Sequence, residues 1–76
     1  MMKEQAALQY NGCDYEVGTS REGAAGRWRF NLKISRNGET VFEYDGPPEF
    51  PTSTVAENVG VRHARTWINA YLGKYR

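Results

Sequence analysis

One stretch of nine residues constrains the fold more than any other, because apolar and polar side chains alternate through it without interruption. Residues 27–35 read RWRFNLKIS. Successive side chains of a β-strand point to opposite faces of a sheet, so strict alternation predicts a strand with one buried face. We expect four of its side chains to face a core: Trp28, Phe30, Leu32 and Ile34.

The length and composition predict one small folded domain, residues 1–76. Hydrophobic residues make up 39% of the 76 positions and aromatic residues 13%, which leaves room for one sheet and one helix. No apolar run is long enough for a membrane span, and residues 1–4 lack the apolar stretch of a signal peptide. We therefore expect a cytoplasmic protein with no membrane partner. A single cysteine, Cys13, agrees with a reducing compartment.

The first hairpin is predicted from Asn11-Gly12, a dipeptide in which both residues tolerate positive φ. A two-residue turn there joins strands 5–10 and 13–19, with Tyr10 opposite Cys13. Residues 18–26 are rich in glycine and match neither common phosphate-binding motif, so we interpret them as a flexible hairpin loop.

The second hairpin presents a choice of register. A two-residue turn on Asn37-Gly38 would place Glu43 opposite Leu32, with its carboxylate in the core. A three-residue loop, 36–38, with Gly38 in the left-handed position of a bulge avoids this problem. The sequence therefore favours the longer loop and a fourth strand at 39–44, with three side chains inward and two cross-strand pairs: Thr40, Phe42 and Tyr44 inward, Leu32 opposite Phe42, and Phe30 opposite Tyr44.

A C-terminal helix is predicted over residues 53–72. Thr54 and Glu57 have the spacing of a capping box, and Gly73 is a suitable C-terminal stop. Before the helix, residues 48–51 match a minimal polyproline ligand pattern but favour a rigid connector. At 100° per residue one face of the helix is apolar: Ala56, Val59, Gly60, His63, Ala64, Trp67 and Tyr71, flanked by Ile68 and Leu72.

These elements predict an α+β fold, a four-stranded antiparallel meander (β-β-β-β-α) with the helix packed on one sheet face. The opposite face, called the open face below, is expected to lie in water. In architecture the chain resembles the small sheet-plus-helix DNA-binding domains of some plant transcription factors and transposon integrases. A sheet followed by a helix with Ala56, Gly60, Ala64 and Trp67, at intervals of four, four and three, also resembles small bacterial proteins. Neither resemblance implies an activity or a functional residue.

Two basic sets are candidates for nucleic-acid contact. One projects from the open face of the central strand: Arg27, Arg29 and Lys33. The other lies on the outer face of the helix and continues beyond it: Arg62 and Arg65, then Lys74 and Arg76. Asp14, Glu16 and Glu43 are expected on the open face as well, and cations neutralised by neighbouring carboxylates have little affinity for phosphate. A solvated charged face is therefore favoured at both places.

Catalytic and cofactor sites find little support in the sequence. His63 and Cys13 are both expected to face the core, which makes a Cys-His nucleophile pair conceivable, but a hydrogen-bonded histidine and a small buried thiol are favoured. No metal-ligand set and no cofactor-binding loop is present. The aromatic residues could form a stacking platform for single-stranded nucleic acid, although their phase places them in the core.

We therefore expect a non-enzymatic interaction domain, without cofactor or metal, that binds a protein partner or itself. The two edge strands of the sheet are the expected pairing sites, and residues 5–8 of the first one carry no charge. Nucleic-acid binding is the alternative function.

Overall fold

The computed structural model describes residues 5–21, 23 and 26–73, and side chains are described from residue 8 onward. The predictions for Lys74 and Arg76, and for the side chains of residues 5–7, lie outside this part of the chain. Four strands are followed by one helix: β1 (Gln5–Tyr10), β2 (Cys13–Arg21), β3 (Trp28–Arg36), β4 (Glu39–Asp45) and α1 (Ser53–Gly73).

The predicted α+β meander is confirmed, because the four strands form one antiparallel sheet in the order β1-β2-β3-β4. Strand β2 continues to Arg21, further than the pattern indicated, and pairs there with Trp28. The first four residues of the predicted glycine-rich loop are therefore part of the sheet. No helix in the described residues is long and apolar enough to cross a membrane.

The β1–β2 hairpin has the predicted register. Asn11 and Gly12 have φ of 51° and 86°, and Tyr10 lies opposite Cys13. The turn chemistry and the hydrophobic pattern agree here, so local sequence is sufficient to define this half of the sheet.

The register predicted for the β3–β4 hairpin is wrong. The turn has two residues, Asn37 and Gly38, both at positive φ, and the ladder shifts by one residue at Ile34. Val41 is the extra residue of this bulge. Leu32 therefore lies opposite Tyr44 instead of Phe42, and the carboxylate that the short turn would have buried returns to solvent.

The bulge also changes which β4 side chains approach the core. Thr40 pairs with Ser35 and is exposed, which contradicts its predicted inward position. Val41 packs against the core in its place, beside Phe42, whose predicted inward position is correct. Tyr44 faces the helix side of the sheet, as expected, but remains 37% exposed.

The connector between β4 and α1 continues along β3 beyond the end of β4. Gly46 N donates to Phe30 O at 3.0 Å, and Trp28 N donates to Phe50 O at 2.8 Å. These bonds satisfy backbone groups of β3 that β4 is too short to reach. The connector is therefore held against the sheet at both of its ends.

The helix is capped by Thr52 and not by the capping box predicted at Thr54. Val55 N donates to Thr52 Oγ1 at 3.1 Å, and Ala56 N donates to Thr52 O at 3.1 Å. Thr54 already lies within the first helical turn. A threonine side chain at this position supplies one acceptor for the free N–H groups of the first turn.

The helix packs on β2 and β3 through a narrow stripe of four buried residues, three of which are small. Its buried residues recur every four positions: Ala56, Gly60, Ala64 and Ile68. This stripe is rotated from the predicted apolar face, since Ile68 is fully buried whereas His63 is exposed. Because the stripe is narrow and centred on β2 and β3, it leaves the inward side of β4 only partly covered.

The core contains one buried polar atom without a partner among the described residues, the hydroxyl of Tyr15. Tyr15 is 1% exposed and is surrounded by apolar side chains of the sheet and helix. Leaving a hydroxyl unpaired in such a site costs about 1 to 3 kcal/mol. Tyr15 contributes packing volume and no functional group to the surface.

Candidate interaction surface

The open face of the sheet is mixed in charge, with its exposed lysine between two carboxylates. Lys33 lies directly opposite Glu16 on β2 and opposite Glu43 on β4. Asp14 and Asp45 occupy the same face, and Asp14 Oδ1 accepts a hydrogen bond of 2.9 Å from the Gln9 amide. The described part of this face of β2, β3 and β4 therefore carries more carboxylates than cations.

Of the two arginines predicted for the open face, one lies within strand β3 and the other precedes it. Arg29 is half-buried on β3 opposite Ser20. Arg27 precedes the strand, and its Nη1 donates to the carbonyl oxygen of Glu49 at 3.3 Å. Arg27 therefore attaches the connector to the start of β3 rather than projecting from the sheet.

The helical arginines Arg62 and Arg65 are exposed on the helix side of the sheet, opposite the open face. Arg65 lies over the ring of Tyr10, with 5.2 Å from its Cζ to the ring centroid. The hydroxyl of Tyr10 accepts a hydrogen bond of 3.2 Å from Asn69. Arg62 is exposed as well. The fold does not bring these side chains near Arg29 and Lys33, so the two basic sets form separate surfaces.

The conceivable Cys13–His63 pair is not brought together. His63 contacts the ring of Phe30, with the ring centroids 5.7 Å apart. Phe30 lies opposite Thr19, and Cys13 is six residues away along β2. That separation corresponds to about 20 Å of strand. Cys13 is fully buried with a free thiol, and His63 is a surface residue.

A row of stacked rings runs along the β4 side of the helix. Phe42 stacks on Trp67 at a centroid distance of 4.7 Å, and Trp67 stacks on Tyr71 at 4.9 Å. Arg36 extends the row, with its Cζ 6.0 Å from the Tyr71 centroid. All four side chains are only partly buried. The stack fills the space that the narrow helical stripe leaves above β4.

The row continues toward the helix N-terminus through His63 and Tyr44, whose ring centroids are 5.5 Å apart. We call the five ring side chains the aromatic belt: Phe42, Tyr44, His63, Trp67 and Tyr71. Three of them are half-buried and two are exposed. An aromatic surface of this kind beside a strand presents flat apolar area together with polar ring atoms, a combination that is enriched at protein interfaces.

Strand β4 is an edge of the sheet, and its ladder shows which backbone groups are free. Phe30 and Gly46 form a hydrogen-bonded pair. Antiparallel ladders alternate, so the next pairs of the opposite kind are Asn31 with Asp45 and Lys33 with Glu43. The N–H and C=O groups of Glu43 and Asp45 therefore point away from β3, toward the open edge. In the described part of the chain, β4 has no second neighbour in the sheet.

The sequence contained part of the signal for this surface. Alternation in β4 predicts that Phe42 and Tyr44 face inward, which is correct. It also predicts that both side chains are buried in the core, whereas Phe42 is half-buried and Tyr44 is exposed. The lateral position of the helix decides their exposure, and no local pattern encodes it. Within the described residues, no group of three or more His, Cys, Asp and Glu side chains could hold a metal ion.

No family model, no curated protein and no solved structure matches this chain.

Proposed function

We propose that this chain is a non-enzymatic interaction domain that binds an extended segment of a partner protein at the edge of β4. The observation that carries the proposal is that free backbone groups of β4 and the aromatic belt lie at the same edge of the sheet. Backbone N–H and C=O groups of Glu43 and Asp45 are available to a further strand. Strand addition of this type derives affinity from main-chain hydrogen bonds and specificity from adjacent side-chain contacts.

The aromatic belt supports a partner at β4 because side chains on one face of the added strand would pack on its rings. Side chains of neighbouring strands on one face lie about 5 Å apart. Inward-facing partner residues would thus contact Tyr44, which is 37% exposed, and the adjacent rings of Phe42 and His63. The other edge, β1, offers Leu8 at 37% exposure and Tyr10, and it is the expected site if the chain instead binds itself.

Nucleic-acid binding is the alternative proposal, with exposed Lys33 and Arg62 as its main support. Its cations are distributed over two sides of the molecule, and Lys33 lies between two carboxylates. Phosphate affinity depends on uncompensated positive charge, so this arrangement favours the protein partner. The cytoplasm is the proposed location, because the one free thiol is stable in a reducing compartment.

The proposal is tested by selecting peptides from a random twelve-residue phage library on the immobilised chain and mapping them by amide NMR. We expect shifts of the β4 amides and of the Trp67 indole N–H. The substitution Glu43→Pro removes an N–H that faces the free edge, where proline is tolerated. It should abolish binding, whereas Glu43→Gln keeps the N–H and removes one charge, so it should retain the affinity to within about fivefold.

Three results would overturn the proposal. These are a selection that yields no binding peptide, amide shifts that fall outside β4, and a Glu43→Pro variant that binds as well as the native chain. A short duplex or single-stranded oligonucleotide, titrated at low salt under the same conditions, tests the alternative. Shifts confined to Lys33 or Arg62 and their neighbours would favour nucleic acid. A free chain that diffuses as a dimer with its interface at β1 would favour self-association.

A further inference from the structure

We infer that the segment accepted by β4 is a basic one, in which Lys or Arg alternates with apolar residues. This inference rests on the proposed strand addition and specifies its partner. It follows from the two faces that β4 presents to any strand added at its edge. One face is acidic, and the other is aromatic.

The acidic face is formed by the exposed side chains of Glu43 and Asp45, which point to the open side of the sheet. Lys33 is opposite Glu43 on β3 but is shared with Glu16, and Asp45 lies opposite the neutral Asn31. Arg29 is the other cation on this face of β3, two residues before Asn31. Among the described residues, two cations thus share the face with four carboxylates, and its negative charge is only partly compensated from within the sheet. A partner strand with cations on this face would supply the missing charge, because opposite charges across strands stabilise pairing.

The aromatic face is formed by Phe42 and Tyr44, with His63 and Trp67 of the helix beside them. Apolar partner side chains would cover the rings on this side, and a partner arginine at the margin would lie on a ring face. The required pattern therefore alternates cationic and apolar side chains with period two. Strand β3, which already pairs with the inner edge of β4, has this type of pattern at Leu32, Lys33 and Ile34.

The same charges argue against a second copy of the chain as the occupant. In an antiparallel pair of β4 strands, Glu43 and Asp45 of both copies would share one face. Like charges directly opposite each other destabilise strand pairing. Acidic side chains on an edge strand therefore act against self-pairing and leave the edge to a partner of opposite charge.

The test compares two fluorescein-labelled peptides of identical apolar sequence, TKIRWKVKG and TEIEWEVEG, by fluorescence anisotropy. We expect the basic peptide to bind the native chain about tenfold more tightly than the acidic one, since each cross-strand charge pair contributes a few tenths of a kcal/mol to about 1 kcal/mol. Affinity for the basic peptide should fall as salt is raised. The double substitution Glu43→Lys with Asp45→Lys should reverse the preference.

Asp14→Lys, which changes the net charge as much as Asp45→Lys does, is the control for that substitution, because Asp14 lies on β2 and β3 separates it from β4. Glu16 is kept because it faces Lys33. This control should change the preference by less than about twofold, given the spacing of two strands, about 10 Å. If both peptides bind the native chain equally and Glu43→Pro abolishes their binding, the basic preference is refuted and strand addition stands. Failure of both peptides together with an empty library selection would overturn both proposals. Concentration-dependent dimerisation through β4 would identify a second copy as the occupant and refute the inference.

Discussion

At the scale of single residues, Gly60 determines how closely the helix approaches the sheet. A Cβ at this position would lie 2.7 Å from Val17 Cγ1 and 3.0 Å from Phe30 Cδ1. Real Cβ atoms essentially never come within 3.0 Å of another heavy atom, so Val17 would have to move, and Phe30 would have to give by a few tenths of an ångström. Both are core side chains, 2% exposed, and have little room to do so.

We predict that Gly60→Ala lowers the free energy of unfolding by about 1 to 3 kcal/mol, because overpacking outweighs the helix propensity that alanine adds, about 1 kcal/mol. Urea denaturation measures the change. Gly73→Ala is the control, since nothing lies within 4 Å of a Cβ there. It should leave the stability unchanged or slightly raised. A Gly60→Ala variant as stable as the native chain would show that the helix can shift at little cost.

At the scale of elements, the start of the helix depends on a cap that two nearby threonines could each provide. Sequence spacing indicated Thr54 with Glu57, whereas the hydrogen bond is made by Thr52. The connector explains the difference, because its last backbone hydrogen bonds to β3, at Phe50, lie only two residues before Thr52. The path of the chain thus places Thr52, and not Thr54, at the position where the helix begins.

We predict that Thr52→Ala destabilises the chain by about 1 kcal/mol, the usual cost of losing such a cap. Thr54→Ala should change stability by less than about 0.5 kcal/mol, because Thr54 is an exposed residue inside the first turn. Thermal or urea denaturation of the two variants gives the comparison. A larger loss for Thr54→Ala than for Thr52→Ala would support the capping box predicted from the sequence.

At the scale of the whole molecule, the helix divides the sheet into a covered centre and two less covered margins. It packs on β2 and β3, and the large apolar side chains exposed in the sheet are Leu8 on β1 and Tyr44 on β4. A sheet covered in this way is expected to open from its margins, since local stability follows buried apolar contact. The β4 margin is also the one that we propose to bind a partner.

We predict that amide hydrogen exchange follows this division. The amides of β2 and β3 should exchange most slowly, and those of Glu43 and Asp45 should exchange at least about tenfold faster than that of Leu32. The measurement is a series of amide NMR spectra in deuterated buffer. A bound basic peptide should slow the two β4 amides specifically. Uniform protection across β4 in the free chain would show that its edge is not available.

Local sequence alone determined most of the secondary structure, the meander and the first hairpin. Alternation of side chains and the backbone freedom of Asn-Gly act over a few residues, so they can be evaluated without knowledge of the fold. Phe30, Leu32 and Ile34 are buried for this reason. The candidate basic residues were also identifiable, but not the contacts that engage Arg27 and Arg65.

Tertiary structure decided the bulge at Val41, the cap at Thr52 and the exposure of the aromatic belt. Each depends on contacts between segments distant in sequence. The bulge permits the two-residue turn and still keeps the Glu43 carboxylate out of the core. The connector along β3 places Thr52 at the start of the helix. The narrow stripe containing Gly60 places the helix over β2 and β3, which leaves the rings beside β4 accessible. Helix periodicity specifies which side chains face a sheet, but packing specifies which strands they cover.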